Sequence, residues 1–151
     1  GIGRQSAESV LRRHRLAKKL VVDVLKVELP QSHEEAHRLE HAISPYLENK
    51  IVDLLGHPTT CPFGHPIPGS SYEPRDGLLT LNEAKVGVSY TVDRLPEDDR
   101  ELLEYFVGNE FLPGANFSVT DCSMPRGIIT LSCGEKELVF SLSISALIWV
   151  Y

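Results

Sequence analysis

The stretch from Ser32 to His41, SHEEAHRLEH, sets three histidines and three glutamates into ten positions. On a helix advancing about 100° per residue, His33, His37, Glu40 and His41 fall within one arc of roughly 100°. Ala36, Leu39 and Ile43 occupy the adjoining apolar face. Imidazole nitrogen and carboxylate oxygen together suit borderline divalent cations: Fe(II), Mn(II), Co(II), Ni(II) or Zn(II). His14 adds a further donor, because it lies on the apolar stripe of an earlier helical segment, where a histidine requires a partner. The plainer alternative is a polar helix face plus one core histidine bonded to a backbone carbonyl. Four potential ligands on one arc favour metal.

Within that stretch, His33-Glu34-Glu35-Ala36-His37 also satisfies the H-E-x-x-H pattern of zinc peptidases. Such a site needs a third ligand at a set distance. One version requires Gly at position 40 and His at position 43, where this chain has Glu40 and Ile43. The other requires a glutamate on a later helix, and Glu48 is too close. Glu34 also points about 100° away from His33 on the helix, which makes it a solvated carboxylate rather than a base. The pentapeptide is a coincidence of spacing, and no catalytic residue is assigned.

Three helices are expected to position these groups. Val10, His14, Ala17, Val21 and Val24 recur at helical steps between Gln5 and Val27, with Leu11, Leu20 and Leu25 widening the stripe, and Pro30 closes that region. A second helix is predicted from about Ser32 as N-cap, with Glu34 and Glu35 in its first turn. A third runs from Ser44-Pro45 to Leu55 and stops at Gly56. Residues 56–77 then hold five prolines and four glycines, reading as an ordered turn and a linker.

Beyond the linker the period changes to two. Val86, Val88, Tyr90 and Val92 alternate, and 116–121, 127–132 and 136–143 read as further strands, interrupted by a helix at about 97–107. A small, partly open barrel of about five strands fits this pattern. The fold class is α+β: an all-helical domain followed by a small β domain.

The chain has 151 residues, a formal net charge of −6 and three cysteines, Cys61, Cys122 and Cys133, at unrelated spacings. The acidic balance argues against a surface that coats nucleic acid. No apolar run is long enough to span a bilayer, no signal peptide opens the chain, and a reduced cytoplasmic setting is expected. Two weaker signals stand apart. His57, Cys61 and His65 are read as a structural turn rather than a zinc site, and Arg12, Arg13, Arg15, Lys18 and Lys19 as a solvated helix face.

In order and spacing, RRHRLAKKLVVDVL (12–25), HEEAHRLEHAIS (33–44), LLGHPTTCPFGHPIPG (54–69) and LTLNEAKVGVSYTVDRL (79–95) resemble the diphtheria toxin repressor family of iron- or manganese-dependent transcriptional repressors. The resemblance implies a helical metal-binding and dimerisation domain over 1–69, a linker over 70–77 and an SH3-like, FeoA-like barrel over 78–151. It places the start of the chain where a winged helix-turn-helix ends.

Carried over residue by residue, the family's regulatory metal site falls on His37, Glu40 and His41. The first of these is usually Cys or Glu, so His37 is a departure, and a further ligand would come from the DNA-binding domain. An ancillary site falls on His14 and His33, but the Glu expected one turn after His14 is Lys18, which cannot ligate while protonated. Manganese-type members recruit the His14 equivalent into a paired cluster. Barrel residues sometimes reach back, with Glu97, Asp98 and Asp99 as candidates.

The expected function is therefore metal sensing and dimerisation within a repressor. Fe(II) or Mn(II) is the ion, with Zn(II), Co(II) or Ni(II) able to bind in vitro. A homodimer is expected, the apolar faces that include Leu39, Ile43, Tyr46, Leu47, Ile51 and Leu54 packing within the domain and across the two-fold interface. Operator DNA enters only through the winged helix, and no membrane, small-molecule substrate or enzymatic activity is expected. The rival readings are a dimerisation or protein-interaction module that ignores metal and, less favoured, the zinc peptidase.

Overall fold

The computed structural model describes residues 2–151, with side chains from Ala7 onward. It divides into two compact units, Gly1–Glu73 and Pro74–Tyr151.

The first unit is built from α1 (Ile2–Asp23), α2 (Leu29–Glu40) and α3 (Pro45–Leu54). Its core is Leu16, Ala17, Ala36, Ile43, Ile51 and Ile67, flanked by Leu20, Leu39, Val52 and Leu55. Ala17 and Ala36 are both fully buried, and two such small side chains let α1 and α2 pack closely. The buried stripe of α1 differs from its sequence pattern at both edges. Leu16 and Lys18 are buried, whereas Leu11, Val24 and Leu25 are exposed. The helix ends at Asp23, so Val24 and Leu25 lie beyond its face.

The start of α2 differs too. Pro30 opens this helix rather than closing the one before it: it stands in the first turn, where its missing N–H is an orphan position anyway. Ser32 is therefore inside the helix and buried, its hydroxyl donating to the Leu29 carbonyl at 2.7 Å. The third helix begins as expected, with Ser44 Oγ accepting from the Leu47 N–H at 3.1 Å. After it, Gly56 takes φ 75° and ends the run.

The proline-rich segment folds onto α1. Cys61 N–H donates to the His65 carbonyl at 2.9 Å, Thr60 bridges Pro66, and Cys61 and Phe63 are buried. Arg12 donates to the Pro68 carbonyl at 2.6 Å and pairs with Glu48 at 3.1 Å; Arg15 donates to the Pro66 carbonyl. Two members of the basic run are thus structural clasps, not solvated charges. Gly69, at φ 79°, is the position against which the Arg12 guanidinium packs; an added Cβ would meet it at 3.1 Å.

The second unit is a six-stranded antiparallel sheet in the order β1-β6-β2-β3-β4-β5. The strands are β1 (Leu79–Thr80), β2 (Ser89–Arg94), β3 (Asn116–Ser123), β4 (Ile128–Cys133), β5 (Lys136–Ser141) and β6 (Trp149–Val150). Helix α4 (Arg100–Gly108) follows β2, and a single turn, α5 (Leu142–Ser145), follows β5. Alternation works as read: Phe117 and Val119, Ile129 and Leu131, Leu138 and Phe140 all point inward. Phe111 sits among Phe106, Phe117 and Phe140 at ring separations of 5.4–6.0 Å. Cys122 and Cys133 are only partly buried, and Val86 and Val88 are exposed, so neither group belongs to the core.

Candidate metal centre

The last turn of α2 presents His37, Glu40 and His41, whose donor atoms lie within 4.8 Å of one another. The histidine side chains are about two-thirds exposed, and Glu40 between them is 4% exposed. One Glu40 oxygen, Oε1, lies 2.7 Å from His37 Nδ1 and 3.6 Å from His41 Nε2. The two rings meet edge to face, 5.6 Å apart. The helix ends here, and its free carbonyls give this end a partial negative charge that favours a cation. The donor set fits a divalent transition metal: two imidazole nitrogens and a carboxylate, converging at the surface with room for further ligands.

The second Glu40 oxygen turns inward. Its Oε2 lies 3.1 Å from Nδ1 of His14 on α1, and both side chains are nearly buried. Glu40 thus touches the surface pair and the interior at once. A buried carboxylate is tolerable only when its oxygens are hydrogen-bonded, and three histidines surround this one.

His33 does not join that group. The single arc read from the sequence separates into two clusters because α1 packs against the N-terminal part of α2. There His33 faces His14, ring centroids 4.9 Å apart, and its Nδ1 lies 3.1 Å from Lys18 Nζ. Lys18 is fully buried and lies 5.4 Å from the Phe63 ring centroid. Its burial corrects the reading of the whole basic run as a solvated face. The signal was present: His14, Lys18 and Val21 follow one another at i, i+4 and i+7 on the packed side of α1.

The H-E-x-x-H pentapeptide does not assemble. His33 and His37 engage different partners, Glu34 is exposed, and Glu35 pairs with Arg38 at 2.6 Å. His57 pairs with Asp53 at 3.3 Å, apart from the hydrogen-bonded turn that holds Cys61 and His65.

The chain is similar to known proteins along both of its units. Residues 2–69 match the family model for the iron-dependent repressor metal-binding and dimerisation domain, and residues 79–151 match that of the FeoA domain. The iron-dependent repressor IdeR of Mycobacterium tuberculosis is 49% identical over 150 residues, which is 91% of this chain and 64% of that protein. The diphtheria toxin repressor of Corynebacterium efficiens is 43% identical over 87 residues, 53% of this chain and 38% of that protein. A manganese-dependent transcriptional repressor solved in complex with manganese superposes with a TM-score of 0.87 at 30% identity, over 99% of this chain and 72% of that one. The chain spans about 64% of the length of the full-length IdeR relatives it matches.

Proposed function

The chain belongs to the iron-dependent repressor family, as a metal-binding and dimerisation domain followed by a FeoA domain, and on that premise we propose that His37, Glu40 and His41 hold its regulatory ion. The convergence of these three donors on the last turn of α2 carries the reading. Fe(II) and Mn(II) are the proposed ions, since nitrogen and oxygen donors without a thiolate suit both. When bound, the ion supplies a positive centre able to take further donors from outside this helix.

The residues of the chain do the rest. Glu40 anchors the site to α1 through His14, so a change at the exposed histidines is felt in the packed interior. His37 and His41 stand where a second segment can approach them. Tyr46, Leu47 and Leu54 are exposed apolar side chains on α3, and we assign them to the two-fold interface of a homodimer. Residues 70–77 serve as the linker between the two domains. Contact with operator DNA belongs in this reading to a winged helix-turn-helix unit and not to the residues described.

The test is anaerobic calorimetric titration of the chain with Fe(II), Mn(II) and Zn(II), beside the double variant His37→Ala, His41→Ala. The expected result is saturable binding in the wild type that the double variant loses. Binding that survives in the double variant would move the site elsewhere and overturn the assignment.

A further inference from the structure

His14 and His33, from two different helices with rings 4.9 Å apart, have the makings of a second divalent-ion site. The residue that projects into this pair from one turn along α1 is Lys18. Its Nζ lies 3.1 Å from His33 Nδ1, its side chain is fully buried, and its ammonium group also lies near the face of Phe63.

We propose that Lys18 is a resident cation which closes this histidine pair to metal, so that each chain takes up one regulatory ion and not two. An ammonium group has three N–H donors and no acceptor, so at this bond His33 Nδ1 must accept. The lone pair that a metal would require is therefore already committed. A divalent ion placed on the pair would also face a fixed positive charge at close range.

The same bond gives the site a structural role. Lys18 on α1 is tied to His33 on α2 without any exchangeable ion. Responsiveness to metal is concentrated at the other end of α2. The isotherm for metal should then be that of a single site, with a Hill coefficient of about 1 per chain.

The inference concerns a different cluster from the proposed regulatory site, and one experiment separates the two. Equilibrium dialysis against Mn(II), and against Co(II), is run on the full chain, His33→Ala, Lys18→Glu, Lys18→Glu/His33→Ala and Lys18→Glu/His41→Ala, with circular dichroism as the check on folding. The expected results are one ion in the wild type, two in Lys18→Glu, and one again when either His33 or His41 is also removed. Lys18→Gln, which keeps a donor and drops the charge, stands in if Lys18→Glu fails to fold; it should gain a weaker second site. A wild type that binds two ions, one of them lost in His33→Ala, overturns the proposal. A folded Lys18→Glu or Lys18→Gln with no added site does so too. If the wild type binds none while Lys18→Glu gains one that His33→Ala abolishes, the regulatory-site reading fails and the role of Lys18 stands.

Discussion

Replacing Glu40 with Gln separates its two proposed duties, metal ligation and support of the interior. The substitution keeps the shape and one carbonyl acceptor but removes the charge. Glu40 makes one nearly buried bond, to His14 at 3.1 Å, and one to His37, whose side chain is 68% exposed. A hydrogen bond to a charged group contributes about 1.5–3 kcal/mol when shielded. The His37 contact, screened by water, adds only a few tenths. Gln retains roughly half of the His14 bond, so the metal-free helical unit should lose about 1 kcal/mol. For a domain of this size that corresponds to a fall in Tm of about 4–8 °C. Metal affinity should fall far more, by on the order of 100-fold, because even an outer partner of a ligand costs 10–100-fold. His37→Ala and His41→Ala should lose affinity alone, with metal-free Tm nearly unchanged, because both side chains are exposed. Thermal melts by far-UV circular dichroism in chelator, paired with calorimetric titration, read both quantities. Unchanged metal affinity in Glu40→Gln would refute its place among the ligands. An unchanged melt would refute its role in the interior.

The other predictions are briefer. Glu34→Gln should leave metal affinity within twofold of wild type in the same titration, since Glu34 is exposed and outside the donor cluster. Phe111→Ala removes a fully buried ring from a cluster of four and should cost about 3–5 kcal/mol. In limited proteolysis it should expose the β unit to cleavage while the helical unit stays resistant. Leu54→Glu places a charge on an exposed apolar position and should shift sedimentation toward monomer by at least tenfold in dissociation constant, without altering the helical signal. Excess chelator added to the metal-loaded chain should leave it folded with a cooperative melt, in contrast to domains that fold only around their metal.

The helices of the first unit were legible because their apolar spacing is regular, and their ends were less so. Pro30 illustrates the difficulty: proline both ends helices and opens them, and only the packing of Ser32 decides which occurs here. The donors of the candidate site were all visible as residue types on one arc. What a helical projection lacks is the neighbour. It cannot say that α1 lies beside His33, and so it grouped His33 with His37, from which the structure separates it. Lys18 was visible as a departure from the family pattern, but its burial depends on α2 and Phe63 closing over it. In the β unit, alternation located β3, β4 and β5. The two-residue strands β1 and β6 are too short to carry a period, and pairing alone defines them.

The helical unit exchanges charge across α1 and α2 in a reciprocal way. Glu40, an anion on α2, reaches His14 on α1, and Lys18, a cation on α1, reaches His33 on α2. Ala17 and Ala36, both fully buried, belong to the apolar core that these helices share. Each polar bond thus satisfies a group that the close apolar contact would otherwise bury unpaired, at a cost of about 1–3 kcal/mol. The helix pair is closed by its own side chains, and the residues left over, His37 and His41, are exposed and spend little of their energy on the fold. In the proposed reading, that division of labour lets a metal ion alter the surface of α2 without having to assemble the domain beneath it.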